Sequence, residues 1–252
     1  MSGRPRRSIR WLDVLFLLAS ACMAALFIRL GFWQMQRRQE RRARNALVVA
    51  RLGRSAIPLA ALPRDTALAR YRTVRVVGTF DFDHEVVFVN RIREGAPGVH
   101  LLTPLRASGQ DTAVLVDRGW VYAPDAETVD RPAWREPDGV DATGYVQELP
   151  PPGRGDAPLP GHPTEIRWVD PAAIAVVAGY PIAPFYVVLA GDTALHAPHV
   201  PARVPPPPLD EGPHLSYAIQ WFAFALIAIG GSAVAIFGPG RGPVDDLPER
   251  SD

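Results

Sequence analysis

Three side chains near the end of the chain have the types and the spacing of a ligand site. His214, Tyr217 and Trp221 are spaced i, i+3 and i+7, so they share one face if the segment is helical. Histidine is the commonest side-chain ligand for metals, whereas Tyr and Trp at a helix end often anchor it in a membrane interface. The pattern predicts either a metal-binding aromatic pocket or an interfacial anchor, and the histidine is the member that an anchor explains least.

The segment that carries these side chains is apolar enough to cross a bilayer. No charged residue occurs over residues 218–237. Counted from His214, the segment exceeds the roughly 20 residues that a bilayer core requires. Pro213 fits the first position of a helix, where its missing N–H costs nothing. We therefore predict a transmembrane helix over residues 213–237.

A second span is predicted near the other end, over residues 11–33. The stretch 11–30 is almost wholly apolar and is interrupted only by Asp13 and Arg29. It is too long for the apolar core of a signal peptide, so an uncleaved helix fits better. Arginines flank both of its ends, and the positive-inside rule therefore leaves its orientation open.

The first span also offers ligand groups. By helical spacing, Arg29 and Trp33 share a face with Gln36. Arg29 either extends its guanidinium to lipid headgroups, with Trp33 as an interfacial aromatic, or meets a carboxylate of a ligand. Small residues four apart in both spans would let the helices pack closely and bring Arg29 and Trp33 beside the three side chains of the second span. Such a pocket suits haem, with His214 on the iron and the arginine on a propionate.

The middle of the chain consists of short β-like runs. Stretches rich in Val, Phe and Thr are separated by Gly, Pro and Asp, which predicts a mostly antiparallel sandwich or partly closed barrel. Helical sequence is sparse here, and the pattern predicts helices only at 125–134 and 171–178. The predicted strands are 73–80, 85–90, 99–105, 112–121, 142–147, 165–169 and 185–189.

The predicted fold class is a membrane-anchored α+β protein, in which two transmembrane helices flank a mostly antiparallel β domain. Residues 37–51 are a charged continuation of the first span that fits a helical extension, and the Pro-rich segment 136–164 matches no recognisable element. The predicted segments are a basic N-terminus (1–10), transmembrane helix 1 (11–33), a charged connector (34–70), a β-rich domain (71–203), a Pro-rich linker (204–212), transmembrane helix 2 (213–237) and a tail (238–252).

Composition and missing motifs exclude several function classes. The net charge of +1 gives no indication of a nucleic-acid partner. The single cysteine, Cys22, excludes intramolecular disulfides and the paired-thiol copper and redox motifs. The chain contains no hydrolase, nucleotide-binding or zinc-protease motif. We expect a protein that is not an enzyme.

A series of short motifs, each weak by itself, follows in an order that resembles a known family. Together they resemble the surfeit-locus protein one family, the assembly factors of haem-copper cytochrome c oxidase. The motifs are Leu30-Gly31-x-Trp33-Gln34-x-x-Arg37, Tyr71-Arg72-x-Val74, Gly78-Thr79-Phe80, Asn90-Arg91, Pro97-Gly98-x-His100-x-Leu102-Thr103-Pro104-Leu105, Val116-x-Arg118-Gly119-Trp120-Val121 and His214-Leu215-x-Tyr217-Ala218-x-x-Trp221-Phe222.

The resemblance implies a bacterial, multi-pass inner-membrane protein with both termini in the cytoplasm and the β domain in the periplasm. It implies a protein that receives haem a from haem a synthase and assists its insertion into oxidase subunit one, with the histidine that matches His214 as the favoured iron ligand. Gln34 and the Arg118-Gly119-Trp120 motif are interpreted as partner-contacting or structural, since an Arg and a Trp around a strand-end glycine fit either a binding site or local packing.

Two other functions remain open from the sequence. A membrane scaffold would stabilise subunit one during assembly without carrying haem. A copper-handling protein is disfavoured by the lone cysteine and the scarcity of methionine. Loss of haem in a variant of His214 that still associates with its partner would separate the carrier from the scaffold.

Overall fold

The structure is a computed structural model that describes residues 11–63, 65–150, 164–191 and 199–237. The chain divides into two compact units, a helical unit of Met1–Asn45 with Leu209–Asp252 and a barrel unit of Ala46–Pro208. The predicted terminal segments 1–10 and 238–252, and residues 151–163 of the unplaced Pro-rich segment, lie outside the described residues.

Four helices and eight strands are described. The helices are α1 (Trp11–Leu52), α2 (Thr66–Ala69), α3 (Pro171–Ala178) and α4 (His214–Phe237). The strands are β1 (Ile57–Pro58), β2 (Thr73–Phe80), β3 (Val86–Arg93), β4 (Ala96–Arg106), β5 (Ala113–Tyr122), β6 (Gly139–Glu148), β7 (Glu165–Ile166) and β8 (Ile182–Leu189).

Both long helices are apolar and long enough to cross a membrane. Helix α4 matches the predicted second span to within one residue. Helix α1 continues to Leu52, so the charged extension over 37–51 is helical and the predicted connector 34–70 becomes non-helical only beyond that residue. Arginine and alanine dominate the extension, and both residues have high helix propensity.

Each long helix buries a row of small side chains. Ala24 and Gly31 are buried on α1, and Ala218, Ala225 and Ser232 are buried on α4. Successive members of both rows are seven residues apart, the spacing of helices that pack along a left-handed seam. The sequence predicted small residues four apart, so the close approach is correct in kind but follows a different period.

The strands of the barrel unit close into a ring. Strands β2, β6, β8, β5 and β4 are hydrogen-bonded in that order, and β2 then pairs with β4 through Thr79–Arg106 and Phe80–Leu105. Most pairings are antiparallel, whereas β5 and β8 are parallel. The prediction of a mostly antiparallel, barrel-like domain between two long apolar helices is confirmed.

The interior of the ring follows from side-chain alternation along the strands. In β2, Val74 and Val76 are fully buried and Phe80 nearly so, whereas Arg75 and Val77 are exposed. Alternation with a period of two places one set of side chains inside and the other outside. The inward residues form the main core with Leu105, Val114, Val116, Val146, Val187 and Leu189.

The predicted helix at 171–178 is confirmed, and the residues at its two ends are those that usually begin and end a helix. The Asp170 side chain accepts a hydrogen bond from the N–H of Ala172 at 2.9 Å. Pro171 occupies the first turn, and Gly179 ends the helix in the left-handed conformation with φ 74°. These are the usual N-cap and C-cap residues.

The predicted helix at 125–134 is wrong, since only a short 3₁₀ turn occurs there, at Arg131–Trp134. Asp125 caps the N–H groups of Glu127 and Thr128, as at a helix start. Ala126, however, has a left-handed φ of 58°, and its carbonyl accepts the N–H of Asn90. A contact with a neighbouring strand thus overrides the local helix signal.

The strand predicted at 165–169 is shorter than expected, because β7 ends at Ile166.

Candidate functional site

The entry to α4 is a tight turn that presents His214 as the first helical residue. Gly212 adopts a left-handed φ of 68°, which suits glycine. Its N–H donates to the Asp210 carboxylate at 3.0 Å. A Cβ at Gly212 would lie 3.5 Å from Nε2 of His214. The glycine therefore leaves this edge of the imidazole uncovered by a side chain.

Helix α1 holds this turn through a set of polar contacts. Arg38 Nε donates to Glu211 Oε2 at 2.8 Å, and Arg42 Nε donates to Glu211 Oε1 at 2.6 Å. One turn further, Asn45 Nδ2 donates to the Leu209 carbonyl at 2.8 Å. The hydrogen bond from Arg42, followed by that from Arg38, holds the pKa of the Glu211 carboxyl below its ordinary value of 4.5. We call these contacts the arginine clamp.

The imidazole of His214 is oriented by a residue on α1. Its Nδ1 lies 2.8 Å from Oε1 of Gln34. An amide oxygen only accepts, so Nδ1 is the donor of this hydrogen bond. Histidines that bind metals commonly have such a hydrogen bond on the other ring nitrogen, which holds the ring in place. The contact orients the ring, and Nε2 is the nitrogen left for a ligand.

Aromatic side chains pack the two helices together beyond the histidine. Trp221 stacks on Phe27 with a centroid distance of 5.7 Å and an interplanar angle of 28°. Phe222 lies over Gly31, where a Cβ would approach its ring to 2.5 Å. It also meets Phe32 edge-on at 5.4 Å. Trp221 is therefore a packing residue as well as a member of the predicted aromatic face.

The other predicted ligand-binding residues are exposed. Tyr217 and Trp33 are each about half exposed, at 46% and 48%. Trp33 is covered on one side by the Arg37 guanidinium, 5.7 Å from its ring centroid. Arg29 is exposed and, among the described residues, it makes no hydrogen bond, ion pair or ring contact. In the described contacts, α1 meets His214 through Gln34 and Trp221 through Phe27, and not through Arg29 or Trp33. The ligand-binding roles stay predictions for all of the residues to which the sequence assigned them, namely His214, Tyr217, Trp221, Trp33 and Arg29.

The motif at Arg118 has a structural position in the barrel unit. The Arg118 side chain is fully buried and pairs with two carboxylates, Glu85 at 2.6 Å and Glu136 at 2.9 Å. It also donates to Thr103 Oγ1 at 2.8 Å and to the Trp134 carbonyl at 2.7 Å. A buried charge is tolerated when it is paired and hydrogen-bonded throughout, as here. Arg118 thus links β5 to the start of β3, to β4 and to the 3₁₀ turn.

Gly119 and Trp120 attach a later segment to the barrel. Trp120 and Ala202 exchange backbone hydrogen bonds of 2.8 Å in both directions. Gly119 has a φ of 136°, and a Cβ there would lie 2.5 Å from the Ala202 carbonyl oxygen. The indole of Trp120 lies against Gly98, which has no room for a side chain. These contacts favour the structural interpretation of the motif.

Sequence reasoning missed the residues that orient His214. It interpreted Gln34 as partner-contacting or structural and placed Arg38 and Arg42 in a charged helical extension, without pairing Gln34 with His214 or the arginines with Glu211. The signal was present in the helical period: Ala24, Gly31, Arg38 and Asn45 are seven apart and share one face of α1, which Gln34 joins. Following that row, and not the Arg29 face, would have identified the side of α1 that meets α4.

The donor set fits a metal that arrives with its own ligands. The described residues contain no group of three or more His, Cys, Asp and Glu side chains that could hold a bare ion. A haem iron needs only an axial ligand from the protein, and Nε2 of His214 is suitable. The exposed aromatic rings of Tyr217 and Trp33 add apolar surface on the same unit.

The architecture defines a class of protein in which two helices able to span a bilayer flank a mostly antiparallel β barrel. The SURF1 family matches residues 21–226, most of the chain, and the chain therefore belongs to the SURF1 family. The predicted family is confirmed.

The relatives have modest identity, and their coverage ranges from most of the chain to about half of it. A SURF1-like protein of Mycobacterium tuberculosis is 29% identical over 229 residues, which cover 86% of this chain and 80% of that protein. A SURF1-like protein of Drosophila melanogaster is 26% identical over 223 residues, covering 78% and 69%. Surfeit locus protein 1 of Mus musculus is 30% identical over 132 residues, covering 47% and 43%.

Proposed function

We propose that the protein is an assembly factor for haem-copper cytochrome c oxidase that holds haem a at His214 and assists its insertion into subunit one. The observation that carries the proposal is the hydrogen bond between Nδ1 of His214 and Gln34, because it orients the imidazole and leaves Nε2 as the nitrogen for iron. Membership in the SURF1 family supports the choice of client. No enzymatic step is proposed for the chain itself.

The chain's own residues would bind, orient and release the cargo. When bound, haem a would supply an iron that accepts an imidazole nitrogen, and His214 would hold it. Gln34 fixes the histidine tautomer, and Gly212 leaves the Nε2 edge free of a side chain. Tyr217 and Trp33 offer apolar ring surface, and Arg29 is the proposed partner of a propionate. A single histidine ligand at a half-exposed site favours transfer over permanent retention.

The proposal includes a location and two partners. The protein would be a multi-pass protein of the bacterial inner membrane, with the β domain in the periplasm. Haem a synthase would supply the haem, and subunit one would receive it. The two long apolar helices support the membrane location.

The test is a spectrum of the full chain purified in detergent from cells that make haem a. We expect the wild type to show a reduced haem a spectrum and His214→Ala to lack it. His84→Ala is the matched control, because His84 also bonds through Nδ1 but lies in the barrel unit. Both variants should retain subunit one in co-purification.

Two outcomes would contradict the carrier function. A wild type that carries no haem a in cells with ample haem a synthesis would leave only the scaffold. A His214→Ala variant that carries as much haem a as the wild type would remove His214 as the ligand. Loss of subunit one together with haem would instead favour a scaffold whose association depends on α4.

A further inference from the structure

The barrel unit carries another histidine whose surroundings form a built site. His100 on β4 lines a groove of about 370 Å³. The groove walls are the rings of Trp120, Tyr145 and Tyr186 together with the proline run at 205–208. Aromatic and proline surfaces of this kind provide apolar contact area around a few polar groups, as in small-molecule sites.

A buried carboxylate fixes the imidazole of His100. Its Nδ1 lies 2.8 Å from Oδ2 of Asp117, whose side chain is only 4% exposed. The other oxygen, Oδ1, accepts the N–H of Gly119 at 3.0 Å. A carboxylate in this position keeps the proton on Nδ1, leaves the lone pair on Nε2 and raises the basicity of the ring toward a metal. His100 lines the groove, and Nε2 is the nitrogen left for a ligand.

The phenol of Tyr186 gives the groove a further polar group. Burial, and then the negative charge of Asp117, raise the pKa of Tyr186 above its ordinary value. The phenol therefore stays protonated at neutral pH and can donate a hydrogen bond. Within the described residues it has no hydrogen-bond partner.

We infer that the groove binds a planar metalloporphyrin through Nε2 of His100, a second haem-handling site in addition to His214. One histidine cannot hold a bare metal ion, and the described residues bring no set of three metal-ligating side chains together. A metal that already carries four ring nitrogens needs one more ligand, which His100 supplies. This inference rests on the proposed function for its ligand class.

The barrel unit offers a natural comparison in a second His–Asp pair. His84 Nδ1 lies 2.9 Å from Asp81 Oδ2, so the pairing resembles that of His100. The same Asp81 oxygen also accepts the hydroxyl of Tyr180 at 2.7 Å. The cavity beside His84 is only about 40 Å³. That is roughly a ninth of the volume of the groove at His100, and His84 therefore serves as the matched control.

The experiment titrates haemin into the full chain in detergent with the His214→Ala change in every sample, so that only the second site is observed. We expect a saturable shift of the Soret band with about one haemin per chain. Adding His100→Ala should abolish the shift, and adding His84→Ala should leave it unchanged. Metal-free protoporphyrin IX should bind at least tenfold more weakly than haemin.

Asp117→Asn tests the same site without removing the histidine. The side-chain oxygen of the introduced amide can still accept the Gly119 N–H. The amide nitrogen, however, would donate to Nδ1 of His100 and move the ring proton to Nε2. We expect haemin affinity to fall roughly 10- to 100-fold, and the iron–histidine stretching band in the resonance Raman spectrum of the reduced complex to disappear. Circular dichroism melts should show that the variant folds.

Three results would overturn the inference. The first is the absence of a Soret shift in the His214→Ala protein. The second is a shift that survives both His100→Ala and Asp117→Asn, and the third is binding of metal-free protoporphyrin IX that equals the binding of haemin. The proposed function fails by a different observation, namely a wild type without haem a from cells that make it.

Discussion

The two histidines differ in what holds Nδ1, and the difference follows from the unit in which each lies. His214 bonds to a neutral amide, Gln34, on an apolar helix pair. His100 bonds to a buried carboxylate, Asp117, on a barrel strand. A carboxylate beside an iron-bound imidazole strengthens the iron–nitrogen bond and lowers the reduction potential of the iron. A neutral amide in the same place has a smaller effect. In the proposed function, His214 would therefore be the weaker iron ligand of the two, which suits a site that releases its cargo.

The two units also differ in how they accommodate charge. In the barrel unit, Arg118 and Glu85 are buried and satisfied within the protein. In the helical unit, the charges of the arginine clamp are partly exposed, with Arg38 and Arg42 on α1 and Glu211 just before α4. Removing a buried charge should therefore cost far more than removing one at the clamp.

The largest effect should come from Arg118→Ala. The change leaves the Glu85 carboxylate, whose side chain is 2% exposed, without its cation. We expect the free energy of unfolding to fall by about 3–5 kcal/mol, measured by thermal or denaturant melts of the barrel signal. Arg75→Ala removes an exposed pair with Asp141 and is the control, with a loss of about 0–1 kcal/mol. Equal losses for both would contradict the buried network.

The helical unit should be most sensitive at Gly31. A larger residue there must displace the Phe222 ring, because even a Cβ would approach it to 2.5 Å. We expect Gly31→Val to destabilise the helix pair by about 1–3 kcal/mol, followed by tryptophan fluorescence during thermal unfolding in detergent. Gly230→Val is the control on α4, where a Cβ meets no described atom within 4 Å. Equal melting temperatures for Gly31→Val and Gly230→Val would contradict the close contact between Gly31 and Phe222.

The contrast between the two histidines can be sharpened at Gln34. Gln34→Leu removes the acceptor for Nδ1, and we expect haem a retention to fall roughly 10-fold, measured as haem per chain. Gln34→Glu gives His214 the carboxylate partner that His100 has. The reduction potential of the bound haem should then move to a more negative value in a spectroelectrochemical titration. A potential that stays the same in Gln34→Glu would mean that Gln34 does not act on the ligand.

The smallest effect concerns the arginine clamp and pH. The pKa of Glu211 is lowered in the folded protein, so its contribution to stability is present above the ordinary value of 4.5 and is lost as pH falls through the lower folded-state pKa. We expect a small drop in melting temperature of the wild type below about pH 4.5, and a smaller one in Glu211→Gln. Identical pH profiles would show that the clamp adds no stability.

Sequence reasoning predicted the parts of the fold that follow from local patterns. The two apolar helices follow from runs without charge, and β2 follows from the alternation of Val74 and Val76 with exposed neighbours. Closure of the ring between β2 and β4 depends on long-range pairing that no local pattern carries. The helix predicted at 125–134 is wrong for a similar reason. The Ala126 carbonyl, which a helix would need, accepts a hydrogen bond from the distant Asn90 N–H.

The site was predictable only in part. His214 stands out in the sequence because it is an ionisable residue at the start of an apolar run. Gln34 does not, because a glutamine after a span has many ordinary roles and its partner is 180 residues away. Asp117 was hidden for a similar reason: its carboxylate reaches His100 only through the pairing of β4 with β5.

The most direct measurement is chemical rescue of His214→Gly, purified in detergent from cells that make haem a. The variant opens a space at the imidazole while Gln34 and Gly212 remain in place. We expect little bound haem a without additive, and recovery of the wild-type reduced spectrum when imidazole is present during purification, with no recovery by the non-ligating analogue pyrrole. A His214→Gly protein that retains haem a without imidazole, with an unchanged spectrum, would contradict this expectation.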